Sequence, residues 1–281
     1  MQQALVDALV DLLDLESIEV NIFRGVNPDE DRQRLFGGQV AGQALVAAAR
    51  TVDDDRPVHS LHAYFLRPGD PSVPVLYEVD RIRDGRSFTT RRVVAIQHGR
   101  AIFHMSASFH VNEPGYSHSD PMPVVVGPEE LPTREQRFAA AGLDDRWGPS
   151  AIDMRYVTTD PLQRTGPEPP TQQVWLRTNG ELPDGPVLHT CLLTYASDMT
   201  LLDSSLLPHG RPPEGELMMA SLDHAMWFHG PFRADEWLLY DQHTPSASGG
   251  RGLATGRVFT RDGRLIANVV QEGLIRRIGP S

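Results

Sequence analysis

Hydrophobic and polar positions alternate along this chain in two successive series, each predicting one helix followed by a run of strands. Ahead of the first, Leu5, Leu9, Leu12 and Leu13 fall at helical spacing within 1–20, with Asp7, Asp11, Asp14 and Glu16 between them. That pattern predicts a surface helix rather than a signal peptide or a membrane span. Val40 to Arg50 is rich in Ala and Gly and predicts a buried helix whose small side chains let it lie close to a sheet. Strand-like runs follow at His59–Leu66, Val73–Arg83, Phe88–Gln97 and Ala101–His110. They are separated by turn residues at Arg67-Pro68-Gly69-Asp70, Asp84-Gly85 and His98-Gly99, the last two being hairpin signals. Residues 113–150 are rich in Pro, Glu, Asp and Gly and predict a linker with one helix at Thr133–Ala141. The second series predicts a strand near Val174–Arg177, a helix from about Met199 to Leu207, and strands near Leu217–Phe228, Glu236–Gln242, Gly252–Thr260 and Leu265–Arg276. The layout is α+β, an antiparallel sheet wrapped on a central helix in each half, with domains at 1–112 and 151–281 joined by the linker.

The two halves also match residue by residue. Ser60-Leu61 recurs as Ser221-Leu222, His62-Ala63 as His224-Ala225, Tyr64-Phe65 as Trp227-Phe228, Pro68 as Pro231, and Gly99-Arg100 with Ile102 as Gly263-Arg264 with Ile266. In that register Gly37 and Gly38 correspond to Asp198, and Ala107 to Gln271. A duplicated scaffold with a carboxylate, a hydroxyl and an amide in one copy alone points to one site rather than two. Twenty-three residues separate Asp198 from Ser221, as they do Gly37 from Ser60, which predicts matched positions at a helix start and on a central strand.

Composition narrows the classes of partner. The chain has 281 residues and a formal net charge of −11, a field that repels nucleic acid and anionic membrane surfaces. All 26 basic residues are arginine, which excludes Schiff-base chemistry and a phosphate-loop lysine. The single cysteine, Cys191, excludes an intrachain disulfide and a cysteine metal cluster and fits a reducing compartment. No apolar run reaches the roughly 20 residues needed to cross a bilayer, so a cytoplasmic protein is expected.

The candidate chemistry lies in the second half. Asp198, read as the residue before a helix, suits an N-cap as well as a general base. Ser221 suits a buried serine bonded to backbone, and Gln271, interrupting an apolar strand, suits a structural amide. Taken together they form a set in which the carboxylate accepts a proton from water while hydroxyl and amide fix that water next to an electrophilic carbonyl. Gly37-Gly38-Gln39 at the first helix start is a candidate oxyanion or substrate-binding segment, or merely a place where helix and sheet touch. His59, His62, His224 and His229 lack the elbow or helix motif that a catalytic or metal-binding histidine needs, and no metal or other cofactor is expected.

Phe36-Gly37-Gly38-Gln39, the run from Tyr64 to Asp70, Tyr195-Ala196-Ser197-Asp198, the run from Asp223 to His229 and Val270-Gln271-Glu272-Gly273 resemble the acyl-CoA thioesterase II family over nearly the whole chain. The resemblance implies a tandem duplicated hotdog fold, hydrolysis of fatty acyl-CoA to free acid and coenzyme A, and a catalytic Asp-Thr-Gln set acting through water. Those roles fall on Asp198, Ser221 and Gln271, with serine where the family carries threonine. A fatty acyl-CoA substrate and assembly as a homo-oligomer, a dimer or tetramer of double hotdogs, are the expected partners. Two alternatives stay open: a hotdog enoyl-CoA hydratase, and an acyl-CoA-binding or sensing module with a degenerate site.

Overall fold

A computed structural model describes residues 2–28, 33–145, 148–210 and 215–278. The first series of elements comprises α1 (Gln2–Leu13), β1 (Glu16–Glu19), β2 (Ile22–Gly25), α2 (Gly37–Ala49), β3 (Val58–Phe65), β4 (Val75–Asp84), β5 (Phe88–Gln97) and β6 (Arg100–His110). After α3 (Arg134–Ala141), the second comprises β7 (Ile152–Tyr156), β8 (Thr171–Thr178), α4 (Pro186–Ser197), a 3-10 helix at Leu202–His209, β9 (Leu217–Ser221), β10 (Asp223–Phe228), β11 (Leu238–Ser248), β12 (Arg251–Thr260) and β13 (Leu265–Arg277). All strand pairs are antiparallel and lie in one sheet ordered β1-β2-β4-β5-β6-β3-β10-β13-β12-β11-β8-β7, with β9 also on β13.

The strands form where one face alternates into the core. In β5 every second residue from Thr89 to Gln97 is buried, so its sequence carries the period of two. At the β5–β6 hairpin His98 and Gly99 both take positive φ, 50° and 68°, as a two-residue turn matching strand twist requires. The halves join through β3 and β10, where His62 faces Ala225 and Ala63 faces His224. The repeated His-Ala pair thus meets itself across a local twofold.

Under the sheet, α2 and α4 run antiparallel against each other. Gly38 faces the Tyr195 carbonyl and Gly42 the Cys191 carbonyl, and a Cβ on Gly38 would lie 2.3 Å from the former, so only glycine permits the approach. Eleven residues of α2 are buried, which is why it is nearly all Gly, Ala, Val and Leu. One face of α1 is buried through Val6, Leu9 and Leu13, so this helix lies on the body. It stops at Leu13, and residues expected to continue it to Val20 form the strand β1 instead.

In the second half, α4 occupies the central position, and the helix expected at Met199–Leu207 is a turn followed by the 3-10 helix. Gly37 opens α2 and Pro186 opens α4, a separation of 149 residues, against 162 between His62 and His224. The second half therefore carries extra chain between its helix and β9. The 23-residue spacing does not mark equivalent positions: Gly37 begins a helix and Asp198 follows the end of one. The strand expected at Leu217–Phe228 is broken at Leu222 into β9 and β10.

The chain between β6 and β7 contains α3, closed by a Thr133–Gln136 capping box and by Gly142 at φ 65°. Met122, Val125 and Leu131 from this stretch cover Trp175, Trp237, Leu239 and Phe259 on the outer face of the second half. The Trp175 indole N–H donates to the Val126 carbonyl at 2.9 Å. Among the described residues no helix is long and apolar enough to cross a membrane.

Candidate active site

Three of the sequence candidates meet at one carboxylate. Asp198 stands at the C-cap of α4, Ser221 ends β9 and Gln271 lies in the middle of β13. Ser221 Oγ donates to Asp198 Oδ1 at 3.1 Å, and Gln271 Nε2 donates to the same oxygen at 2.5 Å and to Ser221 Oγ at 3.0 Å. Gln271 is fully buried, and its Oε1 has no partner within the protein. Asp198 and Ser221 are half-buried and line a cleft of about 700 Å³ with Gly37, Val40, Phe65 and Leu202. The break between β9 and β10 turns Ser221 toward that cleft. There the Leu222 amide donates to the Glu272 carbonyl at 2.9 Å, and the Glu272 amide to Asp223 Oδ1 at 2.6 Å.

Asp198 does cap a helix, but the one belonging to the other half. Phe36 at the N-cap of α2 gives no side-chain cap, and the Gly38 amide donates to the Asp198 carboxylate. The α2 N-terminus thus faces the carboxylate with the positive end of its dipole. Burial raises the Asp198 pKa to about 6, against the opposing effect of the hydrogen bonds from Gln271, Ser221 and Gly38, and Asp203 raises it further.

Buried hydrogen bonds fix the backbone on both sides of Asp198. Tyr240 Oη donates to the Ser197 carbonyl at 3.2 Å, and Ser197 Oγ pairs with His224 Nε2 at 2.8 Å. Gln242 Nε2 donates to Thr200 Oγ1 at 2.5 Å and Gln172 Nε2 to Gln242 Oε1 at 2.6 Å. Burial lowers the His224 pKa to about 4 and so keeps the ring neutral. None of these supports is legible in the sequence: Gln172 lies between Thr171 and Gln173 and Gln242 between Asp241 and His243, so only Thr200, between Met199 and Leu201, interrupts apolar residues.

The glycine segment divides. Gly37 lines the cleft, and a Cβ there would lie 2.7 Å from Asp198 Oδ2 and 2.9 Å from the Phe65 ring. The Gly38 amide is already committed to Asp198. The Gln39 side chain points away, donating to Asn27 Oδ1 at 3.1 Å and lining a separate cavity of about 580 Å³. What position 39 can present to the cleft is therefore its backbone amide and not its side chain. The remaining histidines are dispersed: His59 pairs with Ser108, His62 packs edge-on against Trp227, and His229 pairs with Asn268.

Known proteins resemble this chain over almost its full length. The acyl-CoA thioesterase family model matches residues 151–274, and the model for the acyl-CoA thioesterase N-terminal domain matches 27–110. Human acyl-coenzyme A thioesterase 8 is 42% identical over 280 residues, covering 94% of this chain and 88% of its own. The chain belongs to the acyl-CoA thioesterase family. The crystal structure of an acyl-CoA thioesterase II from Mycobacterium marinum superposes with a TM-score of 0.82 at 51% identity, covering 96% of this chain and 98% of that one. A hot dog fold protein of unknown function from Alicyclobacillus acidocaldarius superposes at 0.79 with 20% identity, covering 98% and 99%. The fold is accordingly a double hotdog, and the cluster at Asp198 lies within this acyl-CoA thioesterase framework.

Proposed function

We propose that Asp198, Ser221 and Gln271 position and activate the water with which this thioester hydrolase cleaves fatty acyl-CoA into free acid and coenzyme A. The convergence of Ser221 Oγ and Gln271 Nε2 on Asp198 Oδ1, in a cleft open to substrate, carries the reading. Gln271 Oε1 offers one acceptor for a water proton and Asp198 the other, so a single water is oriented by two groups. Asp198 takes its proton as oxygen attacks the thioester carbonyl. Collapse of the tetrahedral intermediate breaks the carbon–sulfur bond, and the proton returns from Asp198 to the departing thiolate. A carboxylate with a pKa of about 6 is a stronger base than an ordinary aspartate and is still ionised at neutral pH.

We assign stabilisation of the oxyanion to the first turn of α2 through the backbone amides of Gly37 and Gln39, since that of Gly38 is occupied by Asp198. The triad comes from the second half, which we assign to 151–281, while the half at 1–112 lends the helix start. We also propose a cytoplasmic location, which rests on composition, and a homo-oligomer, which light scattering tests. The mechanism is tested by rapid-quench mass spectrometry of the enzyme turning over a long-chain acyl-CoA. Free thiol and acid should appear with no acyl adduct. An acyl group trapped on Ser221 or Asp198 would overturn the water mechanism, and absence of any thiol release would overturn the function.

A further inference from the structure

A chain of net charge −11 that takes a substrate with several phosphate charges must offset its own repulsion locally. Two guanidiniums stand where that offset is needed. Arg34 and Arg67 are exposed and line the cleft that contains Asp198 and Ser221. Their segments are tied together, the Leu35 amide donating to the Gly69 carbonyl at 3.0 Å. Arg34 Nη2 donates to the Met219 carbonyl at 2.7 Å, reaching from the first half to the strand that carries Ser221. Arg67 Nη1 donates to the Ala101 carbonyl at 2.6 Å.

Both side chains are therefore held in place by neutral acceptors, and among the described residues neither has a carboxylate within ion-pair distance. Arg92 and Arg261, also exposed, are by contrast paired with Asp80 and Glu129. Asp70, three residues from Arg67, is engaged with Ser72 and His98. Asp203 also lines the cleft, where its charge acts on Asp198.

We propose that Arg34 and Arg67 form the phosphate subsite for the nucleotide end of the thioester substrate. A guanidinium with one edge pinned to a carbonyl keeps its remaining N–H groups for bidentate contact with a phosphate. This assignment rests on the hydrolase reading above.

The test compares wild type with the Arg34→Gln/Arg67→Gln double variant on an acyl-CoA and on the matching acyl-pantetheine, which lacks all phosphates. On acyl-CoA the variant should show a KM raised about tenfold or more, with the loss in kcat/KM on acyl-pantetheine at least about tenfold smaller. An equal loss on both substrates, or none on either, overturns the proposal. If wild type hydrolyses neither, the hydrolase reading has failed, and calorimetry with coenzyme A still decides: binding weakened about tenfold in the variant supports the subsite, and unchanged binding overturns it.

Discussion

At one end of the central helix pair α2 begins where α4 finishes, and at the other α4 begins where α2 finishes. The first end holds Gly37, the Gly38 amide and the Asp198 carboxylate. At the second, Pro186 occupies the first turn of α4 and has no N–H to present. With the helices matched at their starts, Asp198 corresponds to Ala49, and the sequence register sets Ala107 against Gln271. Just beyond Ala49 the space is taken by Arg91, whose Nε donates to Thr51 Oγ1 at 2.8 Å and whose Nη2 donates to the Thr51 carbonyl at 2.9 Å. The same two-helix frame holds the Asp198 cluster at one end and the buried Arg91 side chain at the other. What distinguishes them is a handful of side chains and the extra chain after α4.

The largest effect is expected from removal of the carboxylate. Asp198→Asn should lower kcat by about 10²–10⁴, the range for losing a general base, with the fold retained because Asn can accept the Gly38 amide. Thiol release by the folded variant measures this, and near-full turnover would end the assignment. In wild type, activity should fall as pH drops through about 6, since the base works only when ionised. The effect on stability has the opposite sign. The folded carboxyl pKa lies above its ordinary 3.8, so folding favours the neutral form. This contribution is present at pH below about 4 and is lost as pH rises through about 6. Melting curves of wild type and Asp198→Asn should therefore diverge between pH 4 and 7, with the variant gaining.

Gln271→Ala comes next, with an expected loss of about tenfold or more in kcat, on the order of 1.4 kcal/mol. It removes one donor to Asp198 and the only side-chain donor to Ser221 Oγ among the hydrogen bonds described, together with a buried amide oxygen that has no partner within the protein. Because the amide carbonyl is otherwise unpaired, Gln271→Leu should fold well and still lose activity. Equal turnover in either variant would reassign Gln271 to structure.

How these two residues came to stand out bears on what a sequence can display. Strands such as β5 were legible because burial on one face writes a period of two. The helix α4 was not, because it is buried against both sheet and α2 and carries Thr190, Cys191, Thr194 and Tyr195, residues without a helical stripe or a helix-favouring bias. Its start was marked only by Gly185-Pro186. Asp198, Ser221 and Gln271 stand out as candidates from residue pattern and resemblance, and the structure brings their side chains into mutual hydrogen bonding. That Asp198 ends one helix and caps the other was not, since contact between elements about 150 residues apart leaves no local trace. The equal spacings of 23 residues suggested a symmetry that the helices do not obey.

Ser221 should matter less than Gln271, as it shares its acceptor with a closer donor, 3.1 Å against 2.5 Å. Ser221→Ala is expected to lower kcat several-fold, by roughly the 0.5–1.5 kcal/mol of one neutral hydrogen bond. Ser221→Thr should keep activity, the hydroxyl remaining and its rotamer being more restricted. Rate constants for the pair check this, and a fully active Ser221→Ala would leave Asp198 and Gln271 to hold the water between them.

The smallest effect on catalysis is expected at the opposite end of the helix pair. Arg91 is 1% exposed and holds Thr51, the Arg83 and Thr90 carbonyls and Asp84, so replacing it with Met takes the partner from the buried Thr51 hydroxyl and carbonyl. Denaturant unfolding should show a loss of about 1–3 kcal/mol, the cost of unsatisfied buried groups. Yet kcat per folded molecule should stay within about twofold, because additivity fails only between neighbours and Arg91 touches neither Asp198 nor its partners. If Arg91→Met lowered kcat as much as Gln271→Ala does, the two ends of the frame would be coupled and the division into a working end and a plugged one would fail. A stability loss alone would assign Arg91 to the packed core of the half that supplies the α2 helix start.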